Sequence, residues 1–280
     1  MTAGIIDGTA VSKQLLAETT QRAAAFAEKA GRAPCLATVL VGQDPASRAY
    51  VTMKHNRARK NGIESKSVQL PETSTTDDVV TMITKLSQNP DIDGILVQHP
   101  VPDQVDERAA FEAIAPGKDV DGVTMYSLAA MALGLPGFHS CTPAGIIRLL
   151  KAYDVDLAGK HAVVVGRSPI LGKPVGLLLL NEDATVTFCH SHTVDLAAQV
   201  ARADLVVASV GRPELIKGDW IKPGAVVVDA GYNPGNVGDV EQSVAAERAS
   251  LITPVPGGVG PMTIAVLLEQ TVRAAEATLT

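Results

Sequence analysis

His161-Ala-Val-Val-Val-Gly-Arg-Ser-Pro-Ile-Leu-Gly-Lys-Pro-Val-Gly176, followed by four leucines at 177–180, reads as a strand, a glycine-bearing turn and a helix. Residues 162–165 form a short apolar, β-branched run, as befits a parallel strand buried on both faces. Gly166 ends the run and Gly172 permits close backbone approach. Pro174 suits the first turn of a helix, where its missing N–H has no intrahelical partner to lose. Such a turn aims free backbone N–H groups and the positive end of a helix at a phosphate. The spacing is Gly-x5-Gly-x3-Gly rather than Gly-x-Gly-x-x-Gly, and ordinary strand-to-helix turns share it, so the flanking sequence has to decide.

Downstream, strand candidates recur at 185–188, 205–209 and 226–229, with helices or turns at 175–180, 194–201 and 213–215. This alternation is a Rossmann-type doubly wound half, and it supplies the βαβ setting in which a glycine turn binds a dinucleotide. The 185–188 strand runs into Cys189-His-Ser-His-Thr193, with no carboxylate before Asp195. NAD-specific folds place an acid there for the ribose hydroxyls. Arg167, beside Gly166, is free to meet a 2′-phosphate, with Ser191 and His192 adding polar contacts, which points to NADP. The competing reading pairs Arg167 with a local carboxylate and leaves His190 and His192 in an exposed loop.

Upstream, a helix over 12–30 stops at Gly31 and a buried-type strand over 36–41 stops at Gly42. Asp44-Pro-Ala-Ser47 starts a helix that runs to Asn61-Gly62, followed by a short strand at 68–70, a helix at 76–86 and a strand at 94–98. A helix at 105–114, a turn-rich loop at 115–123 and an apolar helix at 126–135 lead to Gly134-Leu-Pro-Gly137, the domain boundary. Thr142-Pro143 then starts a helix, with threonine as cap and proline at the first position. A glycine and proline linker at 254–261 leads to a final helix from Met262 to about Ala277, with apolar surface to dock on the first domain. The expectation is an α/β protein of two domains, an N-terminal α/β domain and a Rossmann-type doubly wound parallel sheet, with a cleft between them. The first spans 1–139 and is completed by 259–280; the second spans 140–258.

Composition limits the function classes. Of 280 residues, 46% are hydrophobic and 19% charged, a globular balance, and the net charge of −6 argues against nucleic acid as the main partner. Cys35, Cys141 and Cys189 lack metal-type spacing and read as buried free thiols in a reducing compartment. His190-x-His192 has no further ligands near it, so no metal site is expected. No Gly-x-Ser-x-Gly elbow is present. The N-terminus lacks the pattern of a secretory signal and no apolar run reaches membrane-spanning length, so a soluble cytoplasmic protein without membrane partners is expected.

In the first domain Tyr50 and Lys54 are four residues apart on one helix face. By themselves they also fit a packed tyrosine beside a solvated lysine. Gln98 closes an apolar strand at its C-terminal end, where α/β proteins place ligands, and Asp119 and Asp121 sit in a turn. A Tyr-x3-Lys pair also occurs in short-chain dehydrogenases, but there it follows the nucleotide turn, whereas here it precedes it by more than a hundred residues. A non-catalytic NADP-binding module is the reading from another class.

Seven blocks together resemble the bifunctional methylenetetrahydrofolate dehydrogenase/methenyltetrahydrofolate cyclohydrolase family over essentially the whole chain. They are Ser47-x-x-Tyr50-x3-Lys54, Gly94-Ile-Leu-Val-Gln98-x-Pro100, Pro116-x-Lys-Asp-Val-Asp-Gly122, Cys141-Thr-Pro-x-Gly145, Val165-Gly-Arg-Ser-x-Ile-x-Gly-Lys-Pro174, Cys189-His-Ser-x-Thr193 and Pro254-Val-Pro-Gly-Gly-Val-Gly-Pro-Met-Thr263. The resemblance implies oxidation of 5,10-methylenetetrahydrofolate with NADP, then hydrolysis of the methenyl product to 10-formyltetrahydrofolate in the same site. It implies Lys54 as catalytic lysine, with Gln98 bonded to it and tuning its proton affinity, and Tyr50 stacked on the aminobenzoate ring. Asp121 would bond the pterin, and Gly258 and Pro261 would line the folate pocket. Thr142, Gly166, Arg167, Ser168, Ile170, Ser191, Tyr232 and Thr263 would hold the cofactor. A cationic folate would disfavour a cationic lysine beside it. The resemblance also implies a homodimer through the cofactor domain. Pro169, His99, His192 and Tyr232 depart from the family's common pattern, which bears on rates and NADP selectivity.

Overall fold

The computed structural model describes residues 2–279. Its elements in chain order are β1 (Gly4–Ile5), α1 (Gly8–Ala30), β2 (Cys35–Val41), α2 (Pro45–Lys60), β3 (Glu64–Leu70), α3 (Thr76–Gln88), β4 (Gly94–Val97), α4 (Glu107–Glu112), α5 (Met125–Leu133), α6 (Cys141–Ala152), β5 (His161–Val165), α7 (Gly172–Asn181), β6 (Thr185–Cys189), α8 (Leu196–Val200), β7 (Leu205–Ala208), β8 (Val226–Asp229), α9 (Gln242–Arg248), β9 (Leu251–Ile252) and α10 (Val259–Glu276). They group into two compact units. One comprises residues 14–130, 136–139 and 266–279; the other comprises residues 2–13, 131–135 and 140–265.

The first unit is built on a parallel three-stranded sheet in the order β3-β2-β4. All seven residues of β2 are buried, as its unbroken apolar sequence requires of a central strand. Asp44 caps α2 by accepting from the Ser47 N–H at 2.7 Å, and Pro45 stands at the first helical position. Thr75 and Asp78 close a capping box at the start of α3. The last part of α10 packs into this unit: Arg22 bridges Glu269 at 2.9 Å and Glu276 at 2.6 Å, and Gln270 Nε2 donates to the Val120 carbonyl at 2.8 Å. The two carboxylates hold the Arg22 guanidinium above its ordinary pKa, led by the Glu276 hydrogen bond.

The second unit holds a parallel six-stranded sheet in the order β1-β9-β8-β7-β5-β6. Val165 pairs with both Cys189 and Ala208, and Ala208 pairs with Asp229, so four strands end in one row. The chain leaves β5 for the edge strand β6, then crosses back to β7 on the other side of β5. That reversal puts the topological switch point between the C-terminal ends of β5 and β7. Val163, Val165, Val206, Val227 and Ile252 are fully buried in the core beneath one face.

The differences from the sequence reading have local causes. β1 and β9 are two residues each, too short for a periodicity to register, and β1 pairs with β9 through Gly4–Leu251 and Ile5–Ile252. Residues 2–13 therefore belong with the six-stranded sheet. The helix expected to be capped by Thr142 begins at Cys141 with Ser140 as its N-cap residue, and Thr142 instead bonds Thr263. The expected 68–70 strand extends back to Glu64, where alternating exposure marks an edge strand. The expected 105–114 helix shortens to Glu107–Glu112, capped by Asp106. The final helix starts at Val259, ahead of Met262.

Candidate active site

In the first unit the site grows out of two strand ends. The Gln98 N–H donates to the Val39 carbonyl at 2.8 Å, which carries the β2–β4 ladder one residue past β4 and fixes the backbone of Gln98. Its side chain is buried and makes two bonds: Oε1 accepts from Lys54 Nζ at 2.9 Å, and Nε2 donates to the His99 carbonyl at 2.8 Å. An amide has a distinct donor and acceptor end, so the second bond orients the first. Because residue 99 contributes its carbonyl, the histidine side chain is not what holds Gln98. Tyr50, one helical turn before Lys54 on α2, is exposed at 46%. An amine held by an amide thus shares a helix face with an uncovered aromatic ring, four residues apart along α2.

The two aspartates that the sequence reading grouped together separate here. Asp119 is wholly buried and accepts from the N–H groups of Val123 and Thr124, both at 3.0 Å, and the hydroxyls of Thr124 at 2.7 Å and Ser127 at 2.6 Å. Burial pushes its carboxyl pKa up and those four bonds oppose the shift. Asp119 staples its loop. Asp121 is half-buried and remains the candidate ligand.

In the second unit Gly166 follows β5 with φ at +137°, and a Cβ there would collide with the Ser209 carbonyl and hydroxyl. A Cβ on Gly172 would come within 2.5 Å of the Gly166 carbonyl oxygen. Gly166 needs glycine for its positive φ and the close approach of Ser209, and Gly172 because the start of α7 lies directly on the turn that precedes it. Lys173 N–H donates to the Ser168 carbonyl at 3.0 Å and Ile170 N–H to the Ser168 hydroxyl at 3.3 Å, closing the turn. Among the described residues nothing accepts from the N–H groups of Arg167, Ser168 or Gly172. Two of these free donors lie in the turn and the third at the N-terminus of α7, and they fit an anion.

Arg167 is exposed, and its side chain makes no hydrogen bond or ion pair among the described residues. The reading that paired it with a local carboxylate therefore fails. Past β6, the His190 N–H donates to the Thr193 hydroxyl at 2.8 Å and the His192 N–H to His190 Nδ1 at 3.2 Å, leaving Ser191 and the His192 side chain exposed. Asp195, the nearest carboxylate in sequence, accepts from Ala198 N–H as the cap of α8. A cationic side chain with no acid after the second strand fits a ribose 2′-phosphate.

Thr142 and Thr263 hydroxyls share a hydrogen bond at 2.9 Å, which joins the starts of α6 and α10. Gly258, in the loop before α10, has its N–H bonded to the Pro254 carbonyl at 2.9 Å, and its backbone is faced closely by Gly8. Pro261 stands in the first turn of α10. Tyr232 is exposed and donates to Asn236 Oδ1 at 2.7 Å. A separate cavity of about 390 Å³ opens at the other end of the sheet, by Lys160, Leu205, Val226 and Leu251. It faces the N-terminal ends of the strands, away from where parallel sheets bind ligands. Among the described residues no group of three His, Cys, Asp or Glu side chains could hold a metal, and no helix is long and apolar enough to cross a membrane.

Sequence reasoning passed over the side chains of Asp229, at the end of β8, and Asp239, in the loop that follows it, both of which the structure buries. The available signal was that each has a glycine within two residues, at Gly231 and Gly238.

A parallel sheet with a glycine turn at its switch point, together with a second α/β unit bearing a lysine–glutamine pair, defines a two-unit dinucleotide-binding protein of Rossmann type. The chain belongs to the tetrahydrofolate dehydrogenase/cyclohydrolase family: the family's catalytic-domain model matches residues 6–121 and its NAD(P)-binding-domain model matches residues 140–279. It is 66% identical over 274 residues to bifunctional protein FolD 1 of Streptomyces avermitilis, covering 98% of this chain and 96% of that protein. Among solved structures it is similar to the bifunctional enzyme FolD-methylenetetrahydrofolate dehydrogenase/cyclohydrolase from Campylobacter jejuni, with a TM-score of 0.96 and 41% identity over 99% of both chains. The Trypanosoma brucei N5,N10-methylenetetrahydrofolate dehydrogenase-cyclohydrolase, a complex with NADP cofactor and an inhibitor, aligns with a TM-score of 0.95 and 37% identity, covering 100% of this chain and 99% of that one.

Proposed function

We propose that this chain oxidises 5,10-methylenetetrahydrofolate with NADP and hydrolyses the resulting 5,10-methenyltetrahydrofolate to 10-formyltetrahydrofolate. The observation that carries the reading is the Lys54–Gln98 hydrogen bond of 2.9 Å at the end of β4, in a member of this family. The folate would stack on Tyr50 and bond Asp121, with Gly258 and Pro261 lining its pocket. Gly166, Arg167, Ser168, Ile170, Ser191, Thr142, Thr263 and Tyr232 would hold NADP. The unsatisfied N–H groups of the glycine turn suit its diphosphate, and Arg167 suits its 2′-phosphate.

Bound NADP+ supplies the acceptor for the hydride that leaves the methylene carbon. The protein's own part in that step is to fix distance and face. For hydrolysis, Lys54 in its neutral form takes a proton from the water that attacks the methenyl carbon, then returns one as the ring opens. Gln98 Oε1 accepts from the amine and so holds Nζ in one place through both transfers. A homodimer through the dinucleotide unit belongs to the same reading. Edge strand β6, with Phe188 exposed at 41%, supports it, and sedimentation of the purified chain tests it.

The deciding assay mixes the protein with 5,10-methylenetetrahydrofolate and NADP+ and follows absorbance for the methenyl compound and NADPH, with a parallel run on NAD+. Product with NADP+ in preference to NAD+ is expected. No product with either cofactor refutes the reading.

A further inference from the structure

Two buried aspartates tie the loops at the C-terminal edge of the six-stranded sheet to one another. Asp239, wholly buried, accepts from three consecutive N–H groups beyond β7: Val210 at 2.6 Å and Gly211 at 2.9 Å on Oδ2, and Arg212 at 2.9 Å on Oδ1. Asn233 Nδ2 adds a fourth bond at 3.1 Å. Asp229, the last residue of β8, accepts from the N–H groups of Gly231 at 2.9 Å, Asp239 at 3.0 Å and Val240 at 2.9 Å. A side chain on Gly231 would overlap Asp239, and one on Gly238 would overlap Asp229. The two loops are thus shaped to admit both carboxylates.

An apolar filling would close this space without removing two charges from water, so the carboxylates need a reason to be here. Their N–H bonds supply one. Three successive backbone donors aimed at one carboxylate fix the course of the loop far more tightly than packing does, because each bond restricts both distance and direction. That loop starts at the switch point: Ser209 N–H donates to the Val165 carbonyl at 2.9 Å, and the Ser209 backbone is the atom group that forces glycine at 166.

We propose that Asp239 is a positioning residue for the dehydrogenase reaction. Backed by Asp229, it fixes residues 210–212 as a wall of the dinucleotide site beside the glycine turn, and it acts through that backbone rather than by touching the cofactor. The proposal rests on the function proposed above. Hydrolysis of the methenyl compound uses no dinucleotide, which separates this role from a general structural one.

The test is Asp239→Asn, which keeps shape and size but turns an amide NH2 toward backbone N–H groups that need an acceptor. The KM for NADP+ is expected to rise on the order of tenfold, with cyclohydrolase activity within about twofold of wild type, as loss of a charged acceptor predicts. Asp229→Asn, which loosens the hold on the Asp239 N–H, should move the same quantity in the same direction by less. Parallel loss of both activities, or an unchanged KM for NADP+, overturns the proposal. If the wild type has neither activity, the functional reading falls. In that case NADP+ titration of wild type and both variants by calorimetry still decides whether Asp239 shapes the site, equal affinities counting against it.

Discussion

Gly172→Ala adds one methyl group where the start of α7 lies on the turn behind β5. The new Cβ would stand 2.5 Å from the Gly166 carbonyl oxygen, 2.6 Å from its carbon and 2.8 Å from the Arg167 nitrogen. All three are backbone atoms, so no flexible side chain can yield. Moving the oxygen contact from 2.5 Å to the 3.0 Å below which real Cβ atoms essentially never sit requires a displacement of at least 0.5 Å. Overpacking of this kind costs about 1–3 kcal/mol of stability. The displacement also falls on the N–H groups of Arg167 and Gly172, the donors proposed to meet the diphosphate. Weakening one charge-assisted hydrogen bond, at about 1.5–3 kcal/mol, corresponds to a loss of NADP+ affinity of roughly 10–100-fold. Urea denaturation gives the first quantity and calorimetric titration with NADP+ the second. Cyclohydrolase activity, which needs no dinucleotide, serves as the internal control and should stay within about twofold. An alanine variant that binds NADP+ as tightly as wild type would falsify the account of the turn.

Three further outcomes are expected. Lys54→Met should lower methenyltetrahydrofolate hydrolysis by about 10²–10⁴-fold, the usual worth of a positioned proton-transfer group, while NADP+ affinity holds; retained hydrolysis would show that the role is misassigned. Arg167→Ala should weaken NADP+ by on the order of tenfold more than NAD+, and equal losses in competition titrations would mean that the guanidinium makes no 2′-phosphate contact. Burial, with a smaller contribution from the neighbouring Asp239 charge, pushes the Asp229 carboxyl up to about 6 from its ordinary 3.8, against the pull of its three N–H bonds. The folded chain therefore binds this proton more tightly than the unfolded chain. The stability it contributes is present below about pH 4 and is lost as pH rises through 6, a change on the order of 3 kcal/mol. Asp229→Asn should lack that slope in urea melts across the same window, and an unchanged slope would assign it to another group.

The sequence by itself determined the cofactor turn. Residues 161–176 carry strand, glycine and helix signals within one local window, so the reading needed no knowledge of distant contacts. The same holds for Asp44 as the cap of α2 and for the buried strand at 36–41, where composition and neighbours suffice. Tyr50 and Lys54 were legible as one helix face, since helical spacing alone brings them together. Long-range partners were not legible. Nothing near Lys54 in sequence indicates that Gln98, 44 residues later, accepts its hydrogen bond; only the family resemblance implied that pair, and the fold forms it. Asp119 and Asp121 look alike in a string of turn residues, and only the fold buries the first as a loop staple and leaves the second half-exposed. β1 and β9 are dipeptides whose strand character comes from pairing across the chain, and the carboxylates of Asp229 and Asp239 acquire their meaning from N–H groups on other loops. Local propensity specified the elements, whereas tertiary structure decided which polar groups are paired and buried, because a hydrogen bond is set by three-dimensional position and not by distance along the chain.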